Sequence, residues 1–366
     1  MFISKLELYN FRNYEKFGIN FDCDKSLIVG KNACGKTNLL ESVKYLTDLT
    51  SVKAKQDCEM IKQGCDFARI KGEFSRDGGN FSAEVVINPP KRKILKINEV
   101  KQAKTADYLT GMYSVSFTTP DLLLLRGSPE DRRNWLNSAI GGIYPAYRDR
   151  LAKYNRVRLQ KSNCLKDFPP NRQMLDVWNE QLAVCGTNVI RLRLLYLKEA
   201  EKFSALMHSK ISPSEKLTLR YETTPGILTS DDISPETILK NFRETLHKHK
   251  EEEIARGRCI IGPHTDDISF FVNGSDAKKF ASQGQQRTVV LALKLAETEI
   301  ISAKSGYNAI ILLDDVLAEL DNVRQTFLLN CIEEKHQTII TSVDTLHFDK
   351  RYLDNVKIYN LPELLG

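Results

Sequence analysis

The sequence predicts an α/β protein, with a mixed β-sheet and flanking helices, an antiparallel subsheet and an inserted helical lobe. Three observations lead to this fold class. Short apolar strands alternate with helices near both ends of the chain, which is typical of a parallel sheet covered on both faces. Alternating apolar and polar residues between about 68 and 118 predict antiparallel strands. From about 128 to 256 the apolar spacing becomes helical.

The individual elements follow from periodicity and from turn residues. Strands are predicted at 2–9, 26–29, 68–74, 81–87, 94–97, 216–221, 268–274, 309–313 and 338–341. Helices are predicted at 38–46, 128–136, 144–163, 172–208, 235–256, 282–302 and 323–333, and the run Phe168-Pro169-Pro170 separates the two longest. These elements divide the chain into one lobe made of 1–120 and 257–366 and a helical lobe at 121–256.

An octapeptide after the second predicted strand matches G-x-x-x-x-G-K-[ST], the loop that wraps nucleotide phosphates. It consists of Gly30, Lys31, Asn32, Ala33, Cys34, Gly35, Lys36 and Thr37. The glycines let backbone N–H groups point inward, and the following helix adds its positive N-terminal end. Lys36 is expected at the β- and γ-phosphates and the Thr37 hydroxyl at Mg²⁺. An unrelated tight turn is the alternative, but the strand before and the helix after favour a phosphate loop.

Two further motifs fit a nucleotide site. An apolar strand ends in Asp314 and Asp315, where the first carboxylate can order Mg²⁺ and the second can position or deprotonate a water molecule. Ser282 is a good helix N-cap, and Gly284 lets backbone approach a ligand at that helix end. Each motif alone could be a turn or a cap without a ligand. Their order along the chain, with Glu319-Leu320-Asp321 last, favours the nucleotide site.

The basic residues are concentrated in the middle of the chain. The net charge is +6, and the stretch 121–205 holds 15 Lys and Arg against 9 Asp and Glu. A localised basic region is typical of nucleic-acid binders, although a solvated helix surface has the same composition. The candidate phosphate-contacting side chains are Arg132, Arg133, Arg148, Arg150, Lys153, Arg156, Arg158 and Lys161.

Targeting and metal signals are weak in this sequence. No apolar run approaches the roughly 20 residues that a bilayer crossing needs, and the N-terminus reads as a strand rather than a signal peptide. We therefore expect a cytoplasmic protein. The 8 cysteines are scattered without a C-x-x-C pair, which favours reduced core thiols over a zinc site.

The order of the motifs resembles an ABC-type ATPase and, within it, the RecF family of bacterial DNA replication and repair proteins. Besides the phosphate loop, the segments that carry the resemblance are Leu8–Tyr14, Phe117–Leu122, Gly127–Pro129, Gly262–His264, Ser282–Arg287 and Leu312–Val316. The resemblance implies an ABC-type ATPase head that binds ATP and Mg²⁺ between two copies of the chain. It also implies binding at single-strand gaps or junctions of double- and single-stranded DNA, assistance to RecO and RecR in loading RecA, and a weak, DNA-stimulated ATPase.

The resemblance also implies residue roles. Ser282, Gly284 and Gln285 would contact the γ-phosphate held by the other copy, Asp315 would activate water, and Arg12 and Asn13 would lie near the adenine and phosphates. Asp315 stands where most ABC ATPases have glutamate, so slow hydrolysis is expected. Three positions depart from the family pattern, namely Lys53, Asn137 and Thr265. The alternatives are an SMC-like or transporter-type ABC ATPase with another partner; the short gap between motifs and Gln283 argue against them.

Overall fold

The structure, a computed structural model, describes residues 1–51, 53–54, 56–167, 169–224, 226–228, 234–332, 336–346, 348 and 350–361. Phe168 of the predicted helix break and Glu333 at the end of a predicted helix lie outside these residues. The first part of the chain contains β1 (Phe2–Phe11), β2 (Tyr14–Asn20), β3 (Lys25–Val29), α1 (Lys36–Asp48), β4 (Ala68–Arg76), β5 (Gly79–Ile87), β6 (Ile94–Ile97), β7 (Val100–Lys101), α2 (Thr105–Leu109) and β8 (Ser114–Thr118).

The middle and last parts of the chain alternate between long helices and short strands. The middle contains α3 (Leu123–Arg126), α4 (Pro129–Ile143), α5 (Pro145–Cys164), α6 (Arg172–Ile211), β9 (Leu217–Glu222), α7 (Pro235–Lys248), α8 (Lys250–Arg256), β10 (Asp267–Val272), β11 (Ser275–Asp276) and α9 (Ala277–Phe280). The last part contains α10 (Gln283–Ser305), β12 (Ile310–Asp314), α11 (Asn322–Ile332), β13 (Thr338–Ser342), α12 (Lys350–Leu353) and β14 (Lys357–Asn360).

The chain divides into two compact units. The first consists of Met1–Asp121 and Leu291–Gly366, and the second of Leu122–Val290. The second boundary differs from the predicted division after residue 256. Residues 257–290 join the helical unit because β10 pairs with β9 in an antiparallel ladder from Asp267↔Glu222 to Val272↔Leu217.

The first unit combines a parallel and an antiparallel sheet. The five-stranded sheet has the order β14-β3-β13-β12-β8, and each of its neighbouring pairs is parallel. The six-stranded sheet has the order β2-β1-β4-β5-β6-β7 and is antiparallel. Apolar residues of both sheets and of α1 form one core, including Leu6, Leu39, Val43, Val85 and Leu312. This mixed architecture confirms the predicted fold class and places the ends of β3, β12 and β13 at one sheet edge.

The second unit is mainly helical. The two long helices α5 and α6 pack against each other, and α6 also packs against α7 and β9. Helix α4 begins with a capping box. The Ser128 side chain accepts the backbone N–H of Asp131, and the Asp131 side chain accepts the backbone N–H of Ser128. The helix predicted at 235–256 is divided at His249, whose backbone leaves the helical region with φ −99° and ψ 9°.

Among the residues that the structure describes, no helix combines the length and apolar character needed to cross a membrane.

Candidate functional site

The loop between β3 and α1 has the geometry that the octapeptide predicts. Gly35 has φ +110°, a conformation that side chains rarely adopt, and a Cβ there would lie 2.6 Å from Asn13 Nδ2 and 2.8 Å from the Tyr14 hydroxyl. Tyr14 donates a hydrogen bond to the Gly35 carbonyl at 2.9 Å, and Asn13 donates to the Cys34 carbonyl at 3.3 Å. Lys31, Asn32 and Ala33 are exposed at the turn of the loop. The Asn13 and Tyr14 side chains therefore support the loop on one side, and its turn is exposed to solvent.

Lys36 lies inside this loop and is buried. Its ammonium group donates to the Gly30 carbonyl at 2.6 Å and to the Lys31 carbonyl at 3.2 Å. The Nζ atom is also 4.0 Å from Asp315 Oδ2. A buried cation held by carbonyl dipoles and a carboxylate 4.0 Å away retains strong attraction for a further anion in the loop.

Thr37 and Asp314 meet at the end of β12. The Thr37 hydroxyl donates to Asp314 Oδ1 at 2.9 Å, although the two residues are 277 positions apart in sequence. A hydroxyl and a carboxylate are oxygen ligands of the type that Mg²⁺ prefers, directly or through its water shell. The predicted pairing of the phosphate loop with the strand-end carboxylate is therefore present in the fold.

Thr341, at the end of the neighbouring strand β13, also belongs to this cluster, and the sequence did not single it out. Its buried hydroxyl donates to Asp314 Oδ1 at 2.9 Å and accepts the backbone N–H of Asp315 at 3.1 Å. The parallel register pairs Asp314 with Thr341 directly. One hydroxyl thus fixes the position of both carboxylate residues, a contact that depends on strand register rather than on a local motif.

Asp315 has an unusual backbone for a non-glycine residue. Its φ is +51°, in the left-handed region, which costs on the order of 1–3 kcal/mol and is common at functional sites. Burial raises the pKa of its carboxyl group, while Lys36 acts in the opposite direction and Asp314 adds to the increase. A carboxylate with a raised pKa is better suited to accept a proton than an ordinary aspartate.

Arg12 and Asn13 support the loop and α1. The Arg12 guanidinium makes two hydrogen bonds to the Glu41 carboxylate, at 2.8 and 2.7 Å, and one to the Glu59 carbonyl at 2.8 Å. Asn13 accepts a hydrogen bond from Asn38 at 2.8 Å. All three guanidinium nitrogens of Arg12 are thus engaged within the chain, where they support α1 and the segment after it; the position of Arg12 and Asn13 near the adenine and phosphates stays a prediction.

A cavity of about 130 Å³ lies beside the Thr37–Asp314 pair. Its polar lining comes from α1, the segment after α1, β8 and the end of β12, and the residues are Thr37, Glu41, Lys44, Thr50, Lys53, Ser116, Thr118 and Asp314. Lys53, one of the three departures from the family pattern, therefore lines the cavity next to Asp314.

The signature segment lies at the start of α10. Ser282 Oγ accepts the N–H of Gln285 at 3.3 Å, and Gln285 Oε1 accepts the N–H of Ser282 at 2.8 Å, which confirms the predicted N-cap as a capping box. The other end of the Gln285 amide donates to Glu215 at 2.7 Å. Both polar ends of Gln285 are engaged within the chain, and its catalytic role toward the γ-phosphate of another copy stays a prediction. Ser282 is exposed and Gly284 is partly exposed.

Comparisons with known proteins place these features in a family. The profile of the family described as RecF/RecN/SMC N terminal domain matches residues 2–361. The DNA replication and repair protein RecF of Bacillus cereus is 40% identical over 356 residues, which cover 95% of this chain and 94% of that protein. RecF of Bacillus velezensis is 38% identical over 359 residues, covering 95% and 96%.

The chain belongs to the RecF family.

Solved structures agree with this assignment. A structure described as the recombination mediator protein RecF with ATP in the RecFOR pathway superimposes with a TM-score of 0.87 at 29% identity, covering 95% of this chain and 93% of that one. An Smc head bound to the C-terminal winged-helix domain of ScpA gives a TM-score of 0.53 at 15% identity, covering 94% and 90%. The second match concerns the fold alone, which is that of an ABC-type ATPase head.

In this RecF-family chain, three of the eight predicted phosphate-contacting residues hold the second unit together. Arg132 is buried and paired with Asp267 at 2.6 Å, while Lys161 is buried and paired with Glu253. Arg133 donates to the Asp266 carbonyl at 2.8 Å. Both cations are withdrawn from solvent in ion pairs, and removal of Lys161 would leave the buried Glu253 carboxylate without a cation; a DNA contact by Arg132 or Lys161 stays a prediction that this burial disfavours. Arg150, Lys153 and Arg156 are exposed on α5, whereas Arg148 and Arg158 are half-buried.

The remaining departures from the RecF pattern lie in a polar network of the second unit. Asn137 accepts hydrogen bonds from the Tyr147 hydroxyl at 2.6 Å and from Arg193 at 3.0 Å. Arg193 is buried and donates to the Pro263 carbonyl at 2.6 Å. Thr265 donates to the Gly262 carbonyl at 2.8 Å. A neutral asparagine accepts two donors at this position, and Thr265 closes the turn before β10.

Proposed function

We propose that this chain is an ATP-dependent DNA-binding protein of recombinational repair and replication, in which ATP closes two copies around the nucleotide and slow hydrolysis reopens them. Membership of the RecF family supports this proposal. The observation that carries it is the Thr37–Asp314–Thr341 cluster at the open side of the phosphate loop. That cluster joins residues from three distant parts of the chain, and a turn that binds no ligand would not require them to meet.

The residues around the loop fit MgATP. The loop N–H groups and the end of α1 would bind the phosphates, and Lys36 would turn from the Gly30 carbonyl to the β- and γ-phosphates. Thr37 and Asp314 would hold Mg²⁺, which when bound neutralises charge on the transferring phosphoryl group. The exposed positions Lys31, Asn32 and Ala33, with Cys34, would cover the phosphates from above.

Asp315 would position the attacking water and accept its proton. Its raised pKa favours proton uptake, and the hydrogen bond from its N–H to Thr341 holds its strained backbone in place. An aspartate is one methylene shorter than the glutamate that most ABC ATPases have at this position, so water lies farther from the base. We therefore expect a weak ATPase, stimulated by DNA, whose slow hydrolysis sets how long the dimer stays closed.

Ser282 and Gly284 would complete the site of a second copy. The capping box leaves the Ser282 hydroxyl exposed at the positive end of α10, where it can donate to an anion presented by a partner. In this arrangement each phosphate loop forms half of a nucleotide site, and the complete site exists only when two copies have closed around ATP.

The exposed cations of α5 are the proposed DNA contacts. Arg150, Lys153 and Arg156 lie within an arc of about 120° on one helix face, at 100° per residue. Phosphate contacts give affinity without base specificity, which suits a protein that acts at single-strand gaps or junctions. There the dimer would engage RecR and, through it, RecO and the loading of RecA.

Sedimentation of the purified protein with and without ATP and Mg²⁺ tests this proposal, and each condition is repeated with gapped DNA. We expect a monomer without nucleotide, a dimer with MgATP, and a shift of the gapped DNA only with the dimer. A Lys36→Met variant serves as the control and should remain monomeric. Dimerisation that ignores ATP, or DNA binding by the Lys36→Met monomer at equal affinity, would contradict the proposal.

A further inference from the structure

Arg126, the last residue of α3, is an exposed cation beside the signature segment at the start of α10. Its Nε atom donates to Gln286 Oε1 at 2.7 Å. Gln286 is buried; its amide nitrogen donates to the Ala281 carbonyl at 3.2 Å, and its backbone N–H donates to the Ser282 carbonyl at 2.9 Å. The Arg126 guanidinium is therefore attached, through one buried amide, to the turn that carries Ser282.

The backbone that carries Arg126 is held in place on both sides. Leu124 and Leu125, which precede it, are buried. Gly127, which follows it, donates its N–H to the Leu123 carbonyl at 2.8 Å. A Cβ on Gly127 would lie 2.6 Å from that carbonyl oxygen, so the chain turns here more closely than a side chain allows. The position of Arg126 on the surface is thus fixed by the fold.

The terminal nitrogens of Arg126 are available to an anion. In the part of the chain that the structure describes, no carboxylate pairs with this guanidinium, and its hydrogen bond to the signature segment uses Nε alone. The neighbouring cations are engaged, because Lys278 donates to the Gly127 carbonyl at 3.1 Å and Lys279 lies 3.8 Å from Asp276. A guanidinium anchored at Nε keeps both terminal amino groups as donors, in a planar arrangement that suits two phosphate oxygens.

We propose that Arg126 is a catalytic residue that acts on the nucleotide of the other copy, where its guanidinium contacts the γ-phosphate. This inference rests on the proposed function, in which Ser282 closes on the phosphate loop of a second copy.

The reaction gives such a cation a specific task. In hydrolysis the water oxygen bonds to the γ-phosphorus and its proton passes to Asp315, while the bond to the bridging oxygen breaks and leaves its electron pair on ADP. The charge that develops in this transition state is stabilised by a cation already in position. Lys36 supplies one such cation from the copy that binds the nucleotide, and Arg126 supplies a second from the other copy.

Two other roles account for fewer of these contacts. A side chain that only anchors α10 needs the Nε donor, and a neutral glutamine would provide that donor at the same distance from the backbone. A DNA contact would use the charge, but it would not require the guanidinium to be attached to the turn that carries Ser282. A contact to the phosphate of the other copy uses both the charge and the attachment.

The variant Arg126→Gln separates anchoring from charge. The amide nitrogen of glutamine takes the place of arginine Nε along the side chain, so this variant can keep the hydrogen bond to Gln286 while it loses the terminal amino groups. Arg126→Lys keeps the charge without the planar fork. Lys279→Gln is the matched control, because it removes the charge of another exposed side chain close to the signature segment in sequence. ATP hydrolysis is measured with and without gapped DNA, and thermal melting checks that each variant is folded.

We expect the kcat of Arg126→Gln to fall about a hundred-fold, because losing one preorganised donor to the transition state costs about 10²–10³ in kcat. Arg126→Lys should keep more activity than Arg126→Gln, and Lys279→Gln should stay within about two-fold of the unmodified chain. Heterodimers of Arg126→Gln with Lys36→Met should recover part of the ATPase activity, since one of their two sites has an intact phosphate loop that faces an intact Arg126.

Heterodimers of Lys36→Met with Ser282→Arg are assayed in parallel, because they test completion of the site by a second copy without changing Arg126. Recovery in these heterodimers but not in those with Arg126→Gln would overturn the role of Arg126 and leave the proposed function intact, whereas no recovery in either would overturn both. Arg126→Gln that hydrolyses ATP like the unmodified chain would show that Arg126 only anchors α10. Loss of gapped-DNA affinity with an unchanged kcat in the absence of DNA would assign Arg126 to DNA.

Discussion

Thr341 links the two carboxylate residues of the site, and its removal should separate metal-dependent catalysis from nucleotide binding. A Thr341→Val change keeps the shape of the buried side chain but deletes the hydrogen bonds to Asp314 and from Asp315. Hydrogen bonds to charged groups contribute roughly 1.5–3 kcal/mol, so kcat should fall about ten-fold to a hundred-fold. ATP affinity should change less than two-fold, because the loop and Lys36 hold the phosphates.

Two further variants make this prediction specific. Thr341→Ser retains the hydroxyl and should recover most of the activity. Thr338→Val removes a hydroxyl of equal burial at the other end of β13, which donates to the His336 carbonyl at 3.3 Å, and should leave kcat unchanged. Thermal melting adds a readout without turnover: Mg²⁺ should raise the Tm of the ATP-bound unmodified chain more than that of Thr341→Val. Equal kcat in Thr341→Val and Thr338→Val would contradict the positioning role.

His264 should make the stability of the second unit sensitive to acid. Burial lowers the pKa of His264 to about 4, and its Nδ1 atom is 2.6 Å from the Tyr154 hydroxyl. In the unfolded chain the pKa is about 6.5, so below that pH the unfolded chain binds more protons. The contribution of His264 to the free energy of unfolding should therefore fall between about pH 6.5 and pH 4. Nearby Asp266, whose pKa burial raises to about 6, acts in the opposite direction below that pH.

Comparison with a His264→Gln variant isolates the histidine. Urea unfolding across this pH range should show that the stability of the variant, relative to that of the unmodified chain, rises as the pH falls from 6.5 to 4. A variant that loses stability with the same slope would show that the acid sensitivity comes from other groups.

At the scale of elements, the buried Lys161–Glu253 pair joins α5 to α8. A Lys161→Met change would leave the Glu253 carboxylate buried without a cation, at a cost of about 3–5 kcal/mol. Adding Glu253→Gln removes the charge and keeps an acceptor for the N–H of Ile260, so the double variant should recover much of that loss. Urea unfolding of the single and double variants measures both effects.

Exposed Lys153 is the matched control for this pair. Lys153→Met should change stability by less than about 0.5 kcal/mol, as surface substitutions usually do, but should lower DNA affinity. A Lys161→Met protein that is as stable as Lys153→Met would contradict the structural role assigned to Lys161.

The DNA contact proposed for α5 is an electrostatic one and should depend on salt. Each phosphate contact adds roughly 0.9 to the slope of the logarithm of affinity against the logarithm of salt concentration. A chain with Arg150→Glu and Arg156→Glu should show a shallower slope and weaker binding to gapped DNA than the unmodified chain. An unchanged slope would exclude this face as the DNA contact.

At the scale of the whole molecule, the features that could be predicted from the sequence are those that depend on neighbouring residues in the chain. The phosphate loop is eight consecutive residues between a strand and a helix, and the pattern of apolar residues predicted α5, α6 and three of the parallel strands, β3, β12 and β13. Strand β8 belongs to the parallel sheet although its stretch was predicted to be antiparallel, and β14 was not predicted. Long-range pairing was not predictable in the same way. Thr341 joins the site only through the register of β13 against β12, and no local motif marks that register.

Charge illustrates the same limit. The excess of cations in the middle of the chain is a property of composition, but composition does not reveal their partners. Arg132 pairs with Asp267, which is 135 residues away in the sequence, and Lys161 pairs with Glu253, which is 92 residues away. The helices that carry these residues were predicted, whereas the faces they bury depend on tertiary packing.

The central claim is that each nucleotide site is completed by a second copy, and mixing two inactive chains tests it most directly. Lys36→Met disables the phosphate loop, and Ser282→Arg disables the signature. If the signature acts on the other copy, heterodimers of the two variants contain one intact site and should recover part of the ATPase activity of the unmodified dimer. Heterodimers confirmed by sedimentation that hydrolyse no more ATP than either variant alone would contradict the claim.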